Sequence, residues 1–180
     1  MTNEYVRQIK AAFRGMLDYP YKLGGWGGAN NNPPYGIDCR GFVQRAFRLA
    51  GAWLAIGGYQ GNVRRMVRWA EEHGRFRGPE VTPGPCWPIF YCEPDAPEPE
   101  PGNPRHIRHV ALYLQPKSKR WPKGRAVSAL NPVLDVAYHG LNLRGYAILG
   151  YCEPDLSLVE PVEPPMVDPE PPVKSTPADV

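Results

Sequence analysis

The feature that most constrains this chain is an abrupt change of composition just before residue 38. Residues 24–36 consist mainly of Gly, Asn and Pro, which predicts a loop. Residues 39–50 then carry apolar side chains at three- and four-residue spacing, which predicts a helix packed against a core. Asp38 is a favourable N-cap for that helix, and Gly51 follows its end. Cys39 is thereby placed on the first turn of a helix that a loop precedes.

The position of Cys39 favours a reactive thiol. The first turn of a helix presents unpaired backbone N–H groups and the positive end of the helix dipole, and both favour an anion. The thiolate is such an anion and is the nucleophilic form of cysteine. We therefore expect a lowered pKa for the Cys39 thiol. The alternative interpretation is a small buried core residue, because free cysteine is among the residue types most often buried.

Predicted helices precede predicted strands along the chain. Helical periodicity covers residues 3–17, 39–50 and 63–73. Strands are predicted over residues 86–92, 110–114, 125–130, 134–138 and 145–152. Pro88 in the first of these indicates an edge strand or a bulge. This order predicts an α+β fold with N-terminal helices packed on a central antiparallel sheet.

The length of 180 residues suits one domain. We expect this domain to span residues 1–155. From residue 156 the sequence is rich in Pro, Val, Glu and Asp and has no periodicity. Such a segment cannot bury a core, so residues 156–180 are predicted to form an extended Pro-rich tail.

Charge and hydropathy exclude several classes of protein. The net charge of +3 is mild, and we expect no nucleic-acid partner. No apolar run reaches membrane-spanning length, so no membrane insertion is expected. The N-terminal residues lack the apolar core of a signal peptide, which predicts synthesis in the cytoplasm.

No cofactor or metal is expected. The glycine run at residues 24–28 lacks the Lys-Ser/Thr pair of a phosphate-binding loop. The 4 cysteines are irregularly spaced. A zinc site would have to combine residues whose spacing matches no common pattern, namely Cys86, Cys92, His106 and His109.

His109 stands at the start of the well-marked strand 110–114. A nucleophilic cysteine needs a base within hydrogen-bonding reach, and that base needs an orienting group. Ser128 and Asn131 lie on or just after the next predicted strand. In an antiparallel pair they would lie beside His109.

Three motifs, taken in order, resemble the NlpC-type cell-wall cysteine peptidases, which have a pared-down papain-like fold. The first is Tyr21 with Gly24 and Gly25. The second is Asp-Cys-Arg-Gly-Phe-Val at residues 38–43, and the third is His-Val-Ala-Leu-Tyr-Leu at residues 109–114. The resemblance covers residues 5–152.

The resemblance implies a reaction and a set of roles. Cys39 would attack an amide carbonyl in a peptidoglycan stem peptide, and His109 would take the thiol proton and later protonate the leaving amine. The Cys39 backbone N–H and the Tyr21 hydroxyl would lie near the oxyanion. Asp38 would hold the loop and contact a substrate ammonium.

Two positions depart from the family pattern. Arg40 stands where the family usually has serine, and this cation would either favour the Cys39 thiolate or narrow the substrate groove. Ser128 stands where the third catalytic residue is commonly histidine, and serine is a weaker orienter of imidazole. Asn131, His139, the backbone or a water molecule are the alternatives for that task.

The sequence thus predicts a peptidoglycan-directed cysteine endopeptidase acting at the cell wall. Without a signal peptide, a phage tail-tip component or a lysin would reach the wall. The alternative is an inactive assembly module of a virion tail, with tail-protein partners bound through the Pro-rich tail and the basic face formed by Arg64, Arg65 and Arg68. A third hypothesis is a transacylase or amidase acting on a small acyl substrate.

Overall fold

A computed structural model describes residues 2–17, 19–25, 36–94, 106–114, 124–131 and 135–159. Within these ranges lie three α-helices: α1 (Thr2–Arg14), α2 (Cys39–Leu49) and α3 (Val63–Glu72). The described strands are β1 (Phe76–Arg77), β2 (Pro88–Cys92), β3 (Ile107–Leu114), β4 (Arg125–Ala129), β5 (Val136–Gly140) and β6 (Ala147–Cys152). The α+β class and the order of helices before strands are confirmed.

The described strands form one antiparallel sheet in the order β1-β6-β2-β3-β4-β5. Of the two expectations for Pro88, the edge strand is wrong, because β2 lies between β3 and β6, whereas register shifts typical of a bulge do occur in β2. Pro88 is the first residue of β2, a position that tolerates the missing N–H. The pairing of β2 is irregular near Tyr91, where its register shifts against both neighbours. Strand β1 was not predicted, because two residues carry no periodicity.

The two faces of the sheet pack differently. Phe42 and Phe47 of α2 pack with Val110 and Leu112 of β3 in the main core. A second cluster of buried side chains consists of Ile89, Tyr91, Ala111, Tyr113, Ala126 and Tyr151. Because successive side chains of a strand point to opposite faces, the helices cover one face and the second cluster lies on the other.

The described chain continues past the predicted domain boundary. Residues 156–158 form a short 3-10 turn, and Val159 packs against the main core. An ion pair of 2.6 Å between Arg75 and Asp155 links this segment to the residues before β1. The rest of the predicted tail, residues 160–180, lies outside the described residues. Among the helices that the structure describes, none has both the length and the apolar character needed to cross a membrane.

The start of α2 is fixed by the carboxylate of Asp38. Its Oδ1 accepts a hydrogen bond of 2.6 Å from the Gly41 N–H, and its Oδ2 accepts one of 3.0 Å from the Gly24 N–H. The second bond ties the loop before α2 to the helix start. Gly25 is required in this loop, because a Cβ there would lie 2.0 Å from the Gly36 carbonyl oxygen.

We expect Asp38→Ala to lower the free energy of unfolding by about 2–3 kcal/mol, since it removes a helix cap and leaves the buried Arg40 without its carboxylate. Asn62→Ala is the matched control: Asn62 caps α3 by accepting a 2.9 Å bond from the Arg65 N–H at an exposed site. That variant should lose about 1 kcal/mol. Urea denaturation measures both, and equal losses would show that Asp38 acts as an ordinary cap.

Candidate active site

The candidate active site lies where β4 separates from β3. Along these two described strands, pairing runs only from Leu112 to Leu114 of β3. The earlier part of β3, which includes His109 and Val110, is therefore not paired with β4. The Cys39 sulfur lies beside this part of β3, within hydrogen-bonding reach of the Val110 main-chain N–H. The first turn of α2 thus brings Cys39 to the residue next to His109.

His109 is held by a hydrogen bond from the neighbouring strand. Its Nε2 lies 2.9 Å from the Ser128 Oγ, and the same hydroxyl oxygen lies 2.9 Å from the Nε2 of His139 on β5. The Nδ1 of His139 in turn lies 2.8 Å from the Gly140 carbonyl oxygen. All three side chains are buried. The structure therefore brings Ser128 to His109, as expected, and places His139 behind Ser128.

The register of the sheet explains this arrangement. Ser128 of β4 pairs with Ala137 of β5, and His139 lies two residues further along β5. Residues two apart on a strand share a face, and a diagonal neighbour is within reach of a long side chain. His139 can therefore reach the Ser128 hydroxyl. Asn131, the other alternative for orienting His109, is exposed after the end of β4.

Tyr21 lies at the site. Its main chain forms a parallel bridge with Ile37, and its N–H donates a 2.8 Å bond to the Asp135 Oδ1. The pKa of the Tyr21 phenol is raised by burial, and next by the negative charges of Cys39 and Asp38. The Tyr21 phenol is therefore within electrostatic range of Cys39 and Asp38.

Sequence reasoning missed two aromatic neighbours of His109. The Tyr91 ring, on the strand position that pairs with His109, has its centroid 5.8 Å from the His109 ring. The Tyr146 ring lies 6.3 Å away and is 41% exposed. Tyr146 also acts on the pKa of Tyr21, so this partly exposed ring lies near both His109 and Tyr21. No periodicity or motif in the sequence distinguishes either tyrosine.

Arg40 and Asp38 both make contacts within the protein, and Asp38 holds the loop before α2 as expected. The Arg40 side chain is 10% exposed, its Nη1 donates a 2.6 Å bond to the Gly61 carbonyl, and its Nη2 lies 3.6 Å from the Asp38 Oδ2. Both Asp38 oxygens already accept main-chain N–H bonds. Arg40 thus links the start of α2 to the residues before α3, and the Asp38 carboxylate is engaged within the protein.

The expectation of an acidic Cys39 thiol is wrong for the resting protein. Burial of the sulfur raises its pKa to about 11, and the negative charge of Asp38 acts in the same direction. The backbone N–H groups of Val110, Arg40 and Cys39 favour the thiolate, as a helix N-terminus should. Desolvation outweighs them, because it penalises the charged form directly. Cys39 therefore rests as a thiol.

His109 rests as a neutral imidazole. Burial and, to a smaller extent, the nearby His139 together lower its pKa to about 3. Burial also lowers the pKa of His139, against the favourable contact with the Gly140 carbonyl. At neutral pH Cys39 and His109 are thus a thiol and a neutral imidazole, rather than a thiolate and an imidazolium.

The other cysteines and histidines lie apart from this arrangement. Cys39, Cys86, Cys92 and Cys152 are all free thiols. The Nδ1 of His106 lies 3.6 Å from the Oε2 of Glu93, the residue that follows β2. In the part of the chain that the structure describes, no group of three His, Cys, Asp or Glu side chains is arranged to hold a metal ion.

Comparison with solved structures identifies the fold. The P60 domain of an antigen from M. avium subspecies paratuberculosis matches with a TM-score of 0.54 and 16% identity, over 88% of this chain and 97% of that one. RipD from Mycobacterium tuberculosis matches with a TM-score of 0.52 and 17% identity, over 83% of this chain and 96% of that one. It is described as a non-catalytic NlpC/p60 domain protein adapted to peptidoglycan binding. The NlpC/p60 domain of the peptidoglycan hydrolase SagA matches with a TM-score of 0.52 and 19% identity, over 82% of this chain and 97% of that one.

The chain therefore has the NlpC/p60 fold. This fold includes both hydrolases and a non-catalytic binding protein, so the fold alone does not decide activity. A scan of protein-family models and a search of curated proteins find no match to the sequence.

The buried histidines predict a loss of stability in acid. The pKa of His109 falls from an ordinary 6.5 to about 3 on folding, so its neutral form stabilises the protein above pH 6.5, and this stability is lost as the pH falls towards 3. We expect a loss of about 3 kcal/mol from this group between pH 7 and pH 4. His109→Gln should flatten the dependence, measured as urea unfolding at several pH values. His73→Gln, at the exposed end of α3, should retain the pH dependence of the wild type. If the stability–pH curves of the wild type and His109→Gln superimpose, His109 is not a buried neutral group.

The raised thiol pKa predicts slow alkylation of Cys39 at neutral pH. Because only the thiolate reacts, its rate with iodoacetamide should rise about tenfold for each pH unit between 7 and 10. Peptide mass spectrometry after timed quenching measures the rate at Cys39 separately from that at the partly exposed Cys92. A rate that is already high at pH 6 and does not change up to pH 8 would indicate a preformed thiolate.

Proposed function

We propose that the protein is a peptidoglycan-directed cysteine endopeptidase that hydrolyses amide bonds in cell-wall stem peptides. One observation carries the proposal: the Cys39 sulfur reaches the Val110 amide while Ser128 holds the ring of the adjacent His109. A nucleophile, a base and an orienting group are the three parts that covalent catalysis by cysteine needs. They come here from α2, β3 and β4.

The proposed reaction begins from a neutral pair. The Cys39 sulfur attacks the amide carbonyl carbon while its proton passes to His109, and His109 then gives this proton to the leaving amine. The product of this first half of the reaction is a thioester between Cys39 and the acyl part of the substrate. A water molecule, deprotonated by His109, then attacks the thioester carbonyl and releases the acid and the thiol.

Two donors are proposed for the oxyanion. The Cys39 backbone N–H belongs to the first turn of α2, where it has no partner within the helix. The Tyr21 hydroxyl lies close enough to the Cys39 sulfur for their charges to interact. An N–H and an O–H that converge beside the attacked carbonyl would stabilise the charge as it develops. Tyr146 would then contact the substrate from the solvent side.

A second candidate is a peptidoglycan-binding module without catalysis. The raised pKa of the Cys39 thiol favours it, because a resting thiol is a weak nucleophile. The fold is also shared with RipD, which is described as non-catalytic and adapted to peptidoglycan binding. The hydrogen bond between Ser128 and His109 favours the hydrolase, since a binding module does not need an oriented base.

We further propose a setting in a phage, as a tail-tip component or a lysis protein. The support is compositional: residues 160–180 are rich in proline and acidic side chains, and an extended segment of this kind is suited to pack against partner proteins. Such partners would be other proteins of the virion tail. The site of action would be the cell wall.

Digestion of purified sacculi tests the catalytic proposal. Wild-type protein should release new amino groups, and Cys39→Ala should release none, because the nucleophile is lost. Tyr21→Phe should lower kcat by about tenfold to a thousandfold, as expected for one oxyanion donor. Leu23→Ala, at an exposed residue near Tyr21 in sequence, serves as the control and should retain activity.

Co-sedimentation with the same sacculi separates the two candidates. If wild-type protein binds sacculi but releases no more amines than Cys39→Ala, the binding module is correct and the hydrolase is rejected. Release of amines by wild type alone rejects the binding module.

A further inference from the structure

The hydrogen bonds behind His109 form a chain across three strands that ends on a main-chain carbonyl. From β3 to β5 the contacts are His109 Nε2 to Ser128 Oγ at 2.9 Å, Ser128 Oγ to His139 Nε2 at 2.9 Å, and His139 Nδ1 to the Gly140 oxygen at 2.8 Å. Ser128 is fully buried, and the two histidines are 7% and 8% exposed. Water therefore does not replace these partners freely, and the direction of each bond is set within the protein.

The last contact fixes the direction of the whole chain. A carbonyl oxygen only accepts, so the His139 Nδ1 must carry the hydrogen and donate to the Gly140 oxygen. A neutral imidazole has one N–H, so the His139 Nε2 is an acceptor. The Ser128 hydroxyl must then donate to His139, which leaves its oxygen to accept from the His109 Nε2–H. His109 is left with an unprotonated Nδ1.

The direction of the hydrogen-bond chain is fixed only when both imidazoles are neutral. Burial lowers the pKa of each of them, and the two rings lie 6.4 Å apart, which disfavours a charge on either one. Serine alone would not fix the direction, because its hydroxyl rotates and can donate or accept. The anchor of the chain is therefore His139 and not Ser128.

We propose that His139 is a positioning residue that acts through Ser128 to hold His109 in the Nε2–H tautomer, with the Nδ1 lone pair available for the Cys39 proton. The proposal rests on the proposed function in taking Cys39 as the nucleophile. It explains how a serine can replace a direct orienting side chain. The Ser128 hydroxyl donates to His139 on β5, and its oxygen can then only accept from His109.

Nitrogen NMR of the histidine rings tests the tautomers in the resting protein, without substrate. Two-bond couplings in a 15N-labelled sample distinguish Nδ1–H from Nε2–H rings, and His109→Gln and His139→Gln assign the signals. We expect Nε2–H for His109 and Nδ1–H for His139. A His109 ring protonated at Nδ1 would overturn the proposal, and the tautomer itself is measured in the wild-type protein.

Variants test the positioning role. His139→Leu should turn His109 into a mixture of tautomers and lower kcat on sacculi or stem peptides by at least about tenfold, with KM nearly unchanged. His139→Gln keeps an acceptor for the Ser128 hydroxyl and should therefore lose less kcat than His139→Leu. The double variant Ser128→Ala with His139→Leu should be no worse than Ser128→Ala alone, because the two residues act in one chain. His106→Leu, outside the chain, is the control.

The outcomes separate the two levels of the argument. An unchanged His109 tautomer and kcat in His139→Leu overturn the positioning role, even if the wild type hydrolyses peptidoglycan. The expected tautomers in a protein that hydrolyses nothing support the hydrogen-bond chain and overturn the proposed function on which the positioning role rests.

Discussion

The carboxylate of Asp38 holds the arrangement on which the rest of the site depends. It accepts main-chain N–H bonds from both the first turn of α2 and the loop that precedes it, and it lies beside the buried guanidinium of Arg40. Arg40 in turn is bonded to the Gly61 carbonyl before α3. One side chain thus fixes where α2 begins, and Cys39 is the first residue of that helix. The placement of the sulfur beside Val110 of β3 follows from this anchorage.

The same enclosure sets the electrostatics of the site. The N–H groups around Cys39 favour a thiolate, but burial and the neighbouring Asp38 favour the thiol. Burial acts on His109 in the corresponding way and keeps the ring neutral. Cys39 and His109 therefore carry no opposite charges at rest, and what prepares them for the reaction is the direction of the hydrogen bonds around His109. Directional bonds of neutral groups are effective in a buried site, since water does not compete for them.

The fold and part of the site could be predicted from the sequence because their signals are local. The start of α2 follows from Asp38 and the apolar spacing after it, and the expectation that Ser128 lies beside His109 follows from antiparallel pairing. Other features depend on distant parts of the chain. The direction of Arg40 is set by a carbonyl 21 residues away, and the sign of the thiol pKa shift depends on how completely the sheet and α2 enclose the sulfur. The role of His139 emerges only from the register between β4 and β5.

The most direct test of this account is the geometry between Cys39 and His109 in a high-resolution crystal structure of the unmodified protein. The account predicts that the Cys39 Sγ faces the Nδ1 of His109 within about 4 Å, the slightly loose contact expected before substrate binds, while the Nε2 of His109 faces Ser128. A His109 ring turned so that Nδ1 points away from the sulfur, or a sulfur sealed from solvent by the core, would contradict it.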